Sequence, residues 1–316
     1  MRIVMFFGLV GIVVLAAASS AAAASQIVYR CGANLCRIEP QTGSVRQLTF
    51  DGQPEAGYYS DPQLSRDGRT LTYALEFDYT SVLLVARADG SRRQMIVSGP
   101  VTSPVLSPSG RWLVYQDGSP RRAHGEESRR PRLMRKRVRS FEPPRPAFAP
   151  RSPFADLYLG YLGWYRGRLF VGAIQPEALG SREGFCVVLP GPRGCGRFLA
   201  LTAFPRSMGQ ATVSPDGRHL ATVVTPRGVG PVFPSQRGTV RVYDTRTARL
   251  ARVLSAGGGD SAPVWSPDGR WIAFNRGGRA DVSTGRSRAS IYVVPADGGA
   301  PPRRLVRGVD PTWGRA

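Results

Sequence analysis

The sequence Ser-Pro-Asp-Gly-Arg occupies residues 214–218 and returns at 266–270, and each copy stands directly before an apolar run (HLATVV and WIAFN). Proline sets φ at about −65° in the second position of a tight turn, aspartate is accommodated in the third, and glycine closes the turn. The stretch therefore predicts a turn between two strands. Its repetition predicts a structural unit that occurs more than once.

Looser copies of this turn occur earlier in the chain, as LSRDGRTLTYAL, LSPSGRWLVYQ and the degenerate GWYRGRLFVGAI. The glycines that close the five turns are separated by 42, 57, 50 and 52 residues. In chain order they are Gly68, Gly110, Gly167, Gly217 and Gly269. A period a little above about 40 residues, with insertions of variable length, is typical of β-propeller blades.

Each unit continues with a second hairpin, as in VLLVARADGSRRQMIV and IYVVPADGGAPPRRLV, so one unit holds four short strands. The chain ends on DPTWGRA, in which Pro311 and Trp313 match Pro263 and Trp265 of the preceding unit. The three strands missing there are predicted near the N-terminus, in QIVY, LCRI and VRQLT. We therefore predict an all-β, six-bladed β-propeller with four antiparallel strands per blade, whose ring closes when N-terminal strands join the C-terminal strand.

The repeats resemble those of the TolB-like family of six-bladed β-propellers, which are built on WD40-like Pro-Asp repeats. The units at 210–223 and 262–274 carry the resemblance best, and it extends over roughly 26–316. The resemblance implies a propeller that binds other molecules, without identifying a ligand. We do not expect the N-terminal α/β domain of that family in this chain.

The first residues have the pattern of a secretory signal peptide. Met1 and Arg2 precede an apolar core, IVMFFGLVGIVVL, and a tail rich in alanine and serine that ends near Ala24. We predict a signal peptide at 1–24 and a single propeller domain at 25–316, secreted or held in the cell envelope or periplasm as a monomer. We expect no transmembrane span in the mature chain, and an uncleaved N-terminal membrane anchor is the alternative.

The four cysteines agree with export, because disulfides persist in oxidising compartments. They form two close pairs, Cys31 with Cys36 and Cys186 with Cys195, and each pair flanks a predicted hairpin turn. In a six-bladed ring the two pairs lie on opposite sides, so we predict two local disulfides. The same separation argues against a zinc site shared by the cysteines, and we expect neither a metal nor another cofactor.

The formal net charge is +21, from 43 basic and 22 acidic residues, and Lys136 is the one lysine. Such an excess suggests an anionic environment or partner, such as an envelope polymer or a lipid headgroup. No nucleic-acid-binding motif accompanies the charge, and export argues against nucleic acid as a partner.

The predicted connections differ between the two faces of the propeller. Turns between first and second strands, and between third and fourth strands, are short; we call their side the short-turn face. The remaining connections form the long-loop face, where we expect a ligand or an envelope protein to bind, because binding residues often lie on loops held by a rigid scaffold. These longer segments are 49–61, 116–131, 142–156, 174–184, 225–238 and 275–290.

A basic, proline-rich insertion is predicted at 116–156. Within it, residues 121–151 carry eleven Arg and Lys side chains against three Glu. The segment is either a docking surface for an anionic envelope polymer or a solvated run of charge, and its portion at 133–138 could serve as a poor third strand. The candidate docking residues are Arg129, Arg130, Arg135, Lys136, Arg137 and Arg139.

Carboxylates and tyrosines precede or begin several first strands, which line the central channel of a propeller. We expect Tyr58, Tyr59, Asp61, Asp260 and Asp310 to approach the channel mouth, where they would suit a cation, a sugar or a peptide amine. Capping of ordinary turns by aspartate is the alternative.

Catalysis is the less favoured prediction for this chain. The sequence has no G-x-S-x-G nucleophile elbow, and its two histidines cannot provide a three-histidine metal site. We therefore predict a non-catalytic binding or scaffold module in the cell envelope. A propeller hydrolase or lyase, acting on envelope polysaccharide or peptide through channel-mouth carboxylates such as Asp61 with Asp260, remains the alternative.

Overall fold

The computed structural model of the chain describes residues 24–78, 80–119, 121–123, 126–128, 132–147, 159–165, 168–177, 180–188, 195–200, 208–224, 238–256, 258–277 and 288–316. Within these ranges the chain forms strands and turns, and no helix. No helix long and apolar enough to cross a membrane is found in them. The predicted signal peptide at 1–24 lies outside the described residues, apart from Ala24.

The strands are short and follow one another along the whole described chain. The first seven are β1 Ser25–Cys31, β2 Asn34–Ile38, β3 Val45–Gln47, β4 Tyr58–Leu64, β5 Thr70–Glu76, β6 Ser81–Arg87 and β7 Gln94–Gly99. The next ten are β8 Val101–Leu106, β9 Trp112–Asp117, β10 Arg121–Ala123, β11 Glu126–Ser128, β12 Arg132–Arg137, β13 Arg145–Pro146, β14 Leu159–Tyr165, β15 Arg168–Glu177, β16 Gly180–Val188 and β17 Cys195–Ala200. The last nine are β18 Met208–Val213, β19 His219–Val224, β20 Thr239–Asp244, β21 Leu250–Val253, β22 Ser261–Trp265, β23 Trp271–Arg276, β24 Ser290–Pro295, β25 Arg303–Arg307 and β26 Val309–Arg315.

Strand pairing gives six four-stranded antiparallel sheets. From the inside outward they are the first sheet β4-β5-β6-β7, the second β8-β9-β12-β13, the third β14-β15-β16-β17, the fourth β18-β19-β20-β21, the fifth β22-β23-β24-β25 and the closing sheet β26-β1-β2-β3. The hairpin β10-β11 stands apart.

The architecture is a β-propeller of four-stranded sheets, as predicted. Five blades are recognised in it, so the predicted number of six is not confirmed. The sheets differ in regularity, because β13 spans two residues and the third sheet is built on the most degenerate repeat. The predicted pairing of the two chain ends is present, since β26 joins β1 with Trp313 opposite Ile27.

The innermost strands contact one another around a central axis. Each of β4, β8, β14, β18, β22 and β26 contacts the next in this order, and β26 contacts β4. At the junction of the chain ends, the amide nitrogen of Gln26 donates to the carbonyl oxygens of Gly68 and Arg315, at 3.1 and 2.8 Å. These bonds connect the closing sheet to the first turn of the first sheet.

The hydrophobic core lies between neighbouring sheets rather than at the axis. Phe274 and Trp265 of the fifth sheet pack against Val223 and Val242 of the fourth. Because each sheet is covered on both faces, the second strands are buried almost continuously, as the apolar runs after the turns suggested. The fourth strands are mostly exposed.

The Ser-Pro-Asp-Gly turn is stabilised by its own side chains. Ser214 donates to the carboxylate of Asp216, which accepts the backbone N–H of Arg218 at 3.0 Å. The hydroxyl oxygen of Ser214 accepts the N–H of His219 at 2.9 Å. The turn at 266–270 has the same bonds, so the serine and aspartate oxygens stabilise both copies of the motif in the same way.

The basic segment is partly built into the second sheet. Its strand β12 is the third strand of that sheet and pairs with β9 from Arg132 to Arg137. Side chains along it alternate, so that Arg135 and Arg137 are exposed whereas Lys136 is buried. The ammonium group of Lys136 donates to the carbonyl oxygens of Ser140 and Glu142. The prediction that Lys136 belongs to a docking surface is therefore wrong, because period-two alternation turns it inward.

The first predicted disulfide is present, between Cys31 and Cys36. It spans the tight turn between β1 and β2. Cys186 lies on β16 and Cys195 on the adjacent β17, but their side chains are outside the described part of the chain. The second disulfide remains a prediction.

Ring closure can be tested with two glycines that share a left-handed backbone. Gly68 has φ 71°, and a Cβ there would lie 1.6 Å from the carbonyl oxygen of Arg315 in β26; Gly43 has φ 74° and open space around its Cβ position. We expect Gly43→Ala to lower the free energy of unfolding by about 1–2 kcal/mol, the cost of a left-handed non-glycine residue. Gly68→Ala should cost at least about 2 kcal/mol more, because β26 must shift. Urea unfolding of both variants measures the difference, and equal losses would contradict the closing contact.

Candidate functional site

A cavity of about 430 Å³ lies on the axis of the propeller. Residues from the innermost strand of each of the six sheets line it. Several of the short turns line it as well, through Arg66, Pro108, Pro215 and Pro267. The cavity is therefore bounded by every sheet, and its wall chemistry depends on what each inner strand contributes.

Proline marks a β-bulge in these inner strands. In four of them the residue before proline has a left-handed backbone, with φ of 46° at Asp61, 52° at Ser103, 49° at Ala262 and 55° at Asp310. This residue and its proline are skipped in the pairing with the second strand. Such backbone geometry is uncommon outside glycine and collects at functional sites. All four residues line the cavity.

Two of these bulge residues are carboxylates that interact with each other. The pKa of Asp61 is raised to about 7, chiefly by burial and also by the negative charges of Asp310 and Glu76, whereas Arg30 opposes the shift. Asp310 forms an ion pair with Arg30, at 3.4 Å between Nε and Oδ2, and its N–H donates to Asn275 at 3.0 Å. Near neutral pH the carboxyl group of Asp61 is therefore partly protonated, while that of Asp310 lies beside a guanidinium group.

Glu76 and Tyr58 complete the group around Asp61. Glu76 ends β5 and accepts hydrogen bonds from the hydroxyls of Ser60, at 2.8 Å, and Ser81. The ring of Tyr58 lies 5.5 Å from the Arg30 guanidinium carbon. Burial raises the pKa of Tyr58, with Glu76 as the next contribution. Tyr58 is thus next to the carboxylates but does not line the cavity.

Tyr59 is not at the channel mouth. It is buried in the core between the closing and first sheets, with its ring 5.4 Å from Tyr73 in an edge-to-face arrangement. Its hydroxyl donates to Asp51 at 2.9 Å and accepts from Arg93 at 2.8 Å. Burial and the neighbouring Asp51 raise the pKa of Tyr59 to about 12. These contacts give Tyr59 a structural position.

Asp260 is also separate from the cavity lining. Its carboxylate is fully buried and accepts two hydrogen bonds from Arg276, at 2.7 and 3.1 Å. Arg276 in turn lies over the rings of Tyr292 and Phe274, at 4.7 and 5.2 Å. Asp260 therefore anchors the entry to β22, and the pairing of Asp61 with Asp260 that the enzyme alternative named does not form.

Arg66 crosses the short-turn end of the cavity. It replaces the proline found in the other described turns, and its guanidinium donates to the carbonyl oxygens of Pro215 and Pro267, at 3.5 and 3.2 Å. Its backbone N–H donates to Pro108 at 3.0 Å. Because Pro215 and Pro267 belong to the fourth and fifth sheets, the side chain spans the opening at this end of the cavity.

Sequence reasoning missed Arg30, Glu76 and Arg66. The useful signal was the X-Pro dipeptide of the inner strands, which aligns Asp61 and Asp310 with Ala262 and not with Asp260. Arg30 carries no local signal, because its partner Asp310 is at the other end of the chain.

Of the remaining predicted docking residues, the structure describes Arg135, Arg137 and Arg139. Arg129 and Arg130 lie outside the described residues. Arg135 is exposed with its guanidinium 5.8 Å from the ring of Trp112, and Arg137 and Arg139 are exposed.

In the described part of the chain no three His, Cys, Asp or Glu side chains come together as a metal-binding group.

Comparisons with known proteins agree on the fold. No family model and no curated protein matches the chain. Among solved structures it is similar to TolB from Acinetobacter baumannii (TM-score 0.62, 15% identity, 92% of this chain and 66% of that one). It is also similar to an oligogalacturonate lyase in complex with manganese (0.51, 18%, 87% and 70%) and to the GH74 enzyme of Niastella koreensis (0.51, 11%, 88% and 43%). The chain thus spans just under two thirds of that TolB, and identities this low show the propeller fold alone.

The proton on Asp61 makes stability depend on pH. Its pKa of about 7 in the folded chain lies above its ordinary value, so the folded state holds the proton more tightly. The stabilising effect is complete below a pH of about 4, declines as the pH rises towards about 7, and is absent above that. We expect Asp61→Asn to have a free energy of unfolding at least about 1 kcal/mol higher than that of the parent at pH 8, since one pKa unit corresponds to about 1.4 kcal/mol. Its stability should also no longer fall between pH 4 and pH 7. Thermal unfolding between pH 4 and 8 measures it.

The matched control is Asp78→Asn, which changes an exposed aspartate beyond the end of β5. It should follow the parent at every pH. If Asp61→Asn also runs parallel to the parent across this range, the carboxyl group of Asp61 is not protonated in the folded protein near neutral pH.

Proposed function

We propose that the chain is an exported propeller that acts as a non-catalytic binding or scaffold module in the cell envelope. Its ligand or protein partner binds on the long-loop face and places a cationic or hydroxyl-rich group at the cavity. The observation that carries this proposal is the pair Asp61 and Asp310, two bulge carboxylates on one cavity wall beside Arg30. The similar structures support only the propeller fold on which this proposal is built.

The ring that presents this cavity is proposed to have six blades. Six four-stranded sheets support this number, and so does the closed cycle of contacts between their innermost strands. The carboxylates then occupy neighbouring positions, because Asp310 belongs to the closing sheet and Asp61 to the first. A second disulfide is proposed between Cys186 and Cys195.

Export is proposed from three observations. The N-terminal sequence has the signal-peptide pattern at 1–24, Cys31 and Cys36 form a disulfide, and disulfides persist mainly outside the cytoplasm. The mature protein is proposed to be a periplasmic or secreted monomer with an envelope protein or an anionic envelope polymer as partner. Retention of the apolar N-terminus as an anchor is the alternative.

The same carboxylates also favour a second candidate function. Asp61, protonated near pH 7, and Asp310, beside Arg30, have the environments of a general acid and a general base. A hydrolase or lyase acting on envelope polysaccharide or peptide would use such a pair. Its test is an assay of the parent with anionic and neutral polysaccharides, scored by new reducing or unsaturated ends. If the parent cleaves one of these substrates and Asp61→Asn abolishes the cleavage, the enzyme function replaces the binding proposal.

Site-specific photocrosslinking in the native host tests the binding proposal. A photoreactive residue at Glu55, on the exposed loop before β4, should give one discrete covalent adduct in the envelope fraction. Combining it with Asp61→Asn and Asp310→Asn should reduce the adduct yield about tenfold, because each charge-assisted hydrogen bond contributes about 1.5–3 kcal/mol, part of which is lost.

The control position is Ala300, which is equally exposed but lies in a turn between β24 and β25 on the short-turn face. No adduct of the same mass should form there. Equal adducts from both positions, or a yield unaffected by the two aspartate substitutions, would contradict binding at the long-loop entrance.

A further inference from the structure

A second cavity, of about 740 Å³, opens on the short-turn face. The closing, first and second sheets all contribute to its lining, through the ends of β1, β2 and β6 and the turn after β12. This volume is within the range of about 300–1,000 Å³ typical of small-molecule sites. It is separate from the axial cavity, with which it shares no lining residue.

Arginine dominates the wall of this second cavity. Five arginines line it against a single acidic residue, Asp89; they are Arg37, Arg69, Arg87, Arg92 and Arg139. Arg37 has a partner in Glu39, at 3.6 Å. In the part of the chain that the structure describes, the other four form no ion pair, and each is exposed. Among the described residues, the cavity therefore concentrates positive charge that is mostly not neutralised by ion pairs.

Asp89 is engaged with its own turn. Its carboxylate accepts the backbone N–H of Ser91 at 2.9 Å, and the pKa of Asp89 is lowered by its hydrogen bonds with Ser91. An aspartate used in this way stabilises the turn between β6 and β7. Its charge also interacts with that of Arg87, whereas Arg69, Arg92 and Arg139 form no ion pair among the described residues and are available to bind an anion.

Two further side chains add polar and apolar character to the wall. Gln26 is buried, and while its amide nitrogen donates to two carbonyls, its side-chain oxygen has no hydrogen-bond partner among the described residues. Phe141 is completely exposed at the rim. An exposed ring next to a charged cavity provides a flat apolar surface for part of a ligand.

We propose that this cavity is a binding site for a ligand that carries several phosphate groups, about the size of a phosphorylated disaccharide. The planar guanidinium group binds phosphate through paired hydrogen bonds, which makes clustered arginines suited to this chemistry. Phe141 would contact the apolar face of a sugar ring. The site is independent of the long-loop entrance, so it stands or falls separately from the function proposed above.

Isothermal titration of the purified protein with sodium tripolyphosphate tests the site. We expect saturable binding at one site that weakens as salt is raised, because part of the attraction is screened. Arg92→Gln with Arg139→Gln should weaken binding at least about tenfold. The matched control is Arg249→Gln with Arg252→Gln, which removes the same charge from exposed positions of the fourth sheet and should change affinity less than about threefold.

Other outcomes would overturn the proposal. Equal weakening in both double variants would mean diffuse attraction to a basic protein, and tighter binding of citrate than of tripolyphosphate would exclude a phosphate site. Vesicles of phosphatidylglycerol identify the source of the phosphate. Vesicle binding that requires Arg92 and Arg139 supports the site with a lipid headgroup as its ligand, whereas tripolyphosphate binding without vesicle binding supports a soluble one.

Discussion

The hydrogen-bonded pairing of β26 with β1 is the constraint on which the other features depend. It joins the two ends of the described chain and completes the closing sheet between its neighbours. It also builds the acidic site, because Arg30 is on β1 whereas Asp310 is on β26. Radial repetition packs each sheet against two neighbours and leaves only the short, protected edge of its innermost strand at the axis.

The two cavities differ in the charged side chains that they collect. The axial cavity has the carboxyl groups of Asp61 and Asp310 at bulges, where the backbone does not pair, with Arg30 and Arg66 nearby. The second cavity collects arginines because their side chains extend from the ends of strands and from the turn after β12. The short-turn face is therefore more than the regular scaffold that the sequence suggested.

The sequence was sufficient for the repeat, because four of the five turns carry a serine three residues before the closing glycine. It was also sufficient for the pairing of the chain ends, since Trp313 repeats the position of Trp265. It was insufficient for Tyr59 and Asp260, because a bulge changes which face of the strand each residue occupies. The burial of Lys136 could not be predicted either, because a run of basic residues suggests that every side chain is exposed. Only the alternation of the strand shows which of them turns inward.

The bulges before proline separate the chemistry of the cavity from the stability of the fold. At Asp61, Ser103, Ala262 and Asp310 the backbone leaves the ladder of hydrogen bonds, so these side chains take no part in strand pairing. The residue at this position in each of these sheets can therefore be exchanged without loss of a strand-pairing hydrogen bond. Propellers of this type can acquire a new ligand through single substitutions there, without rebuilding a blade.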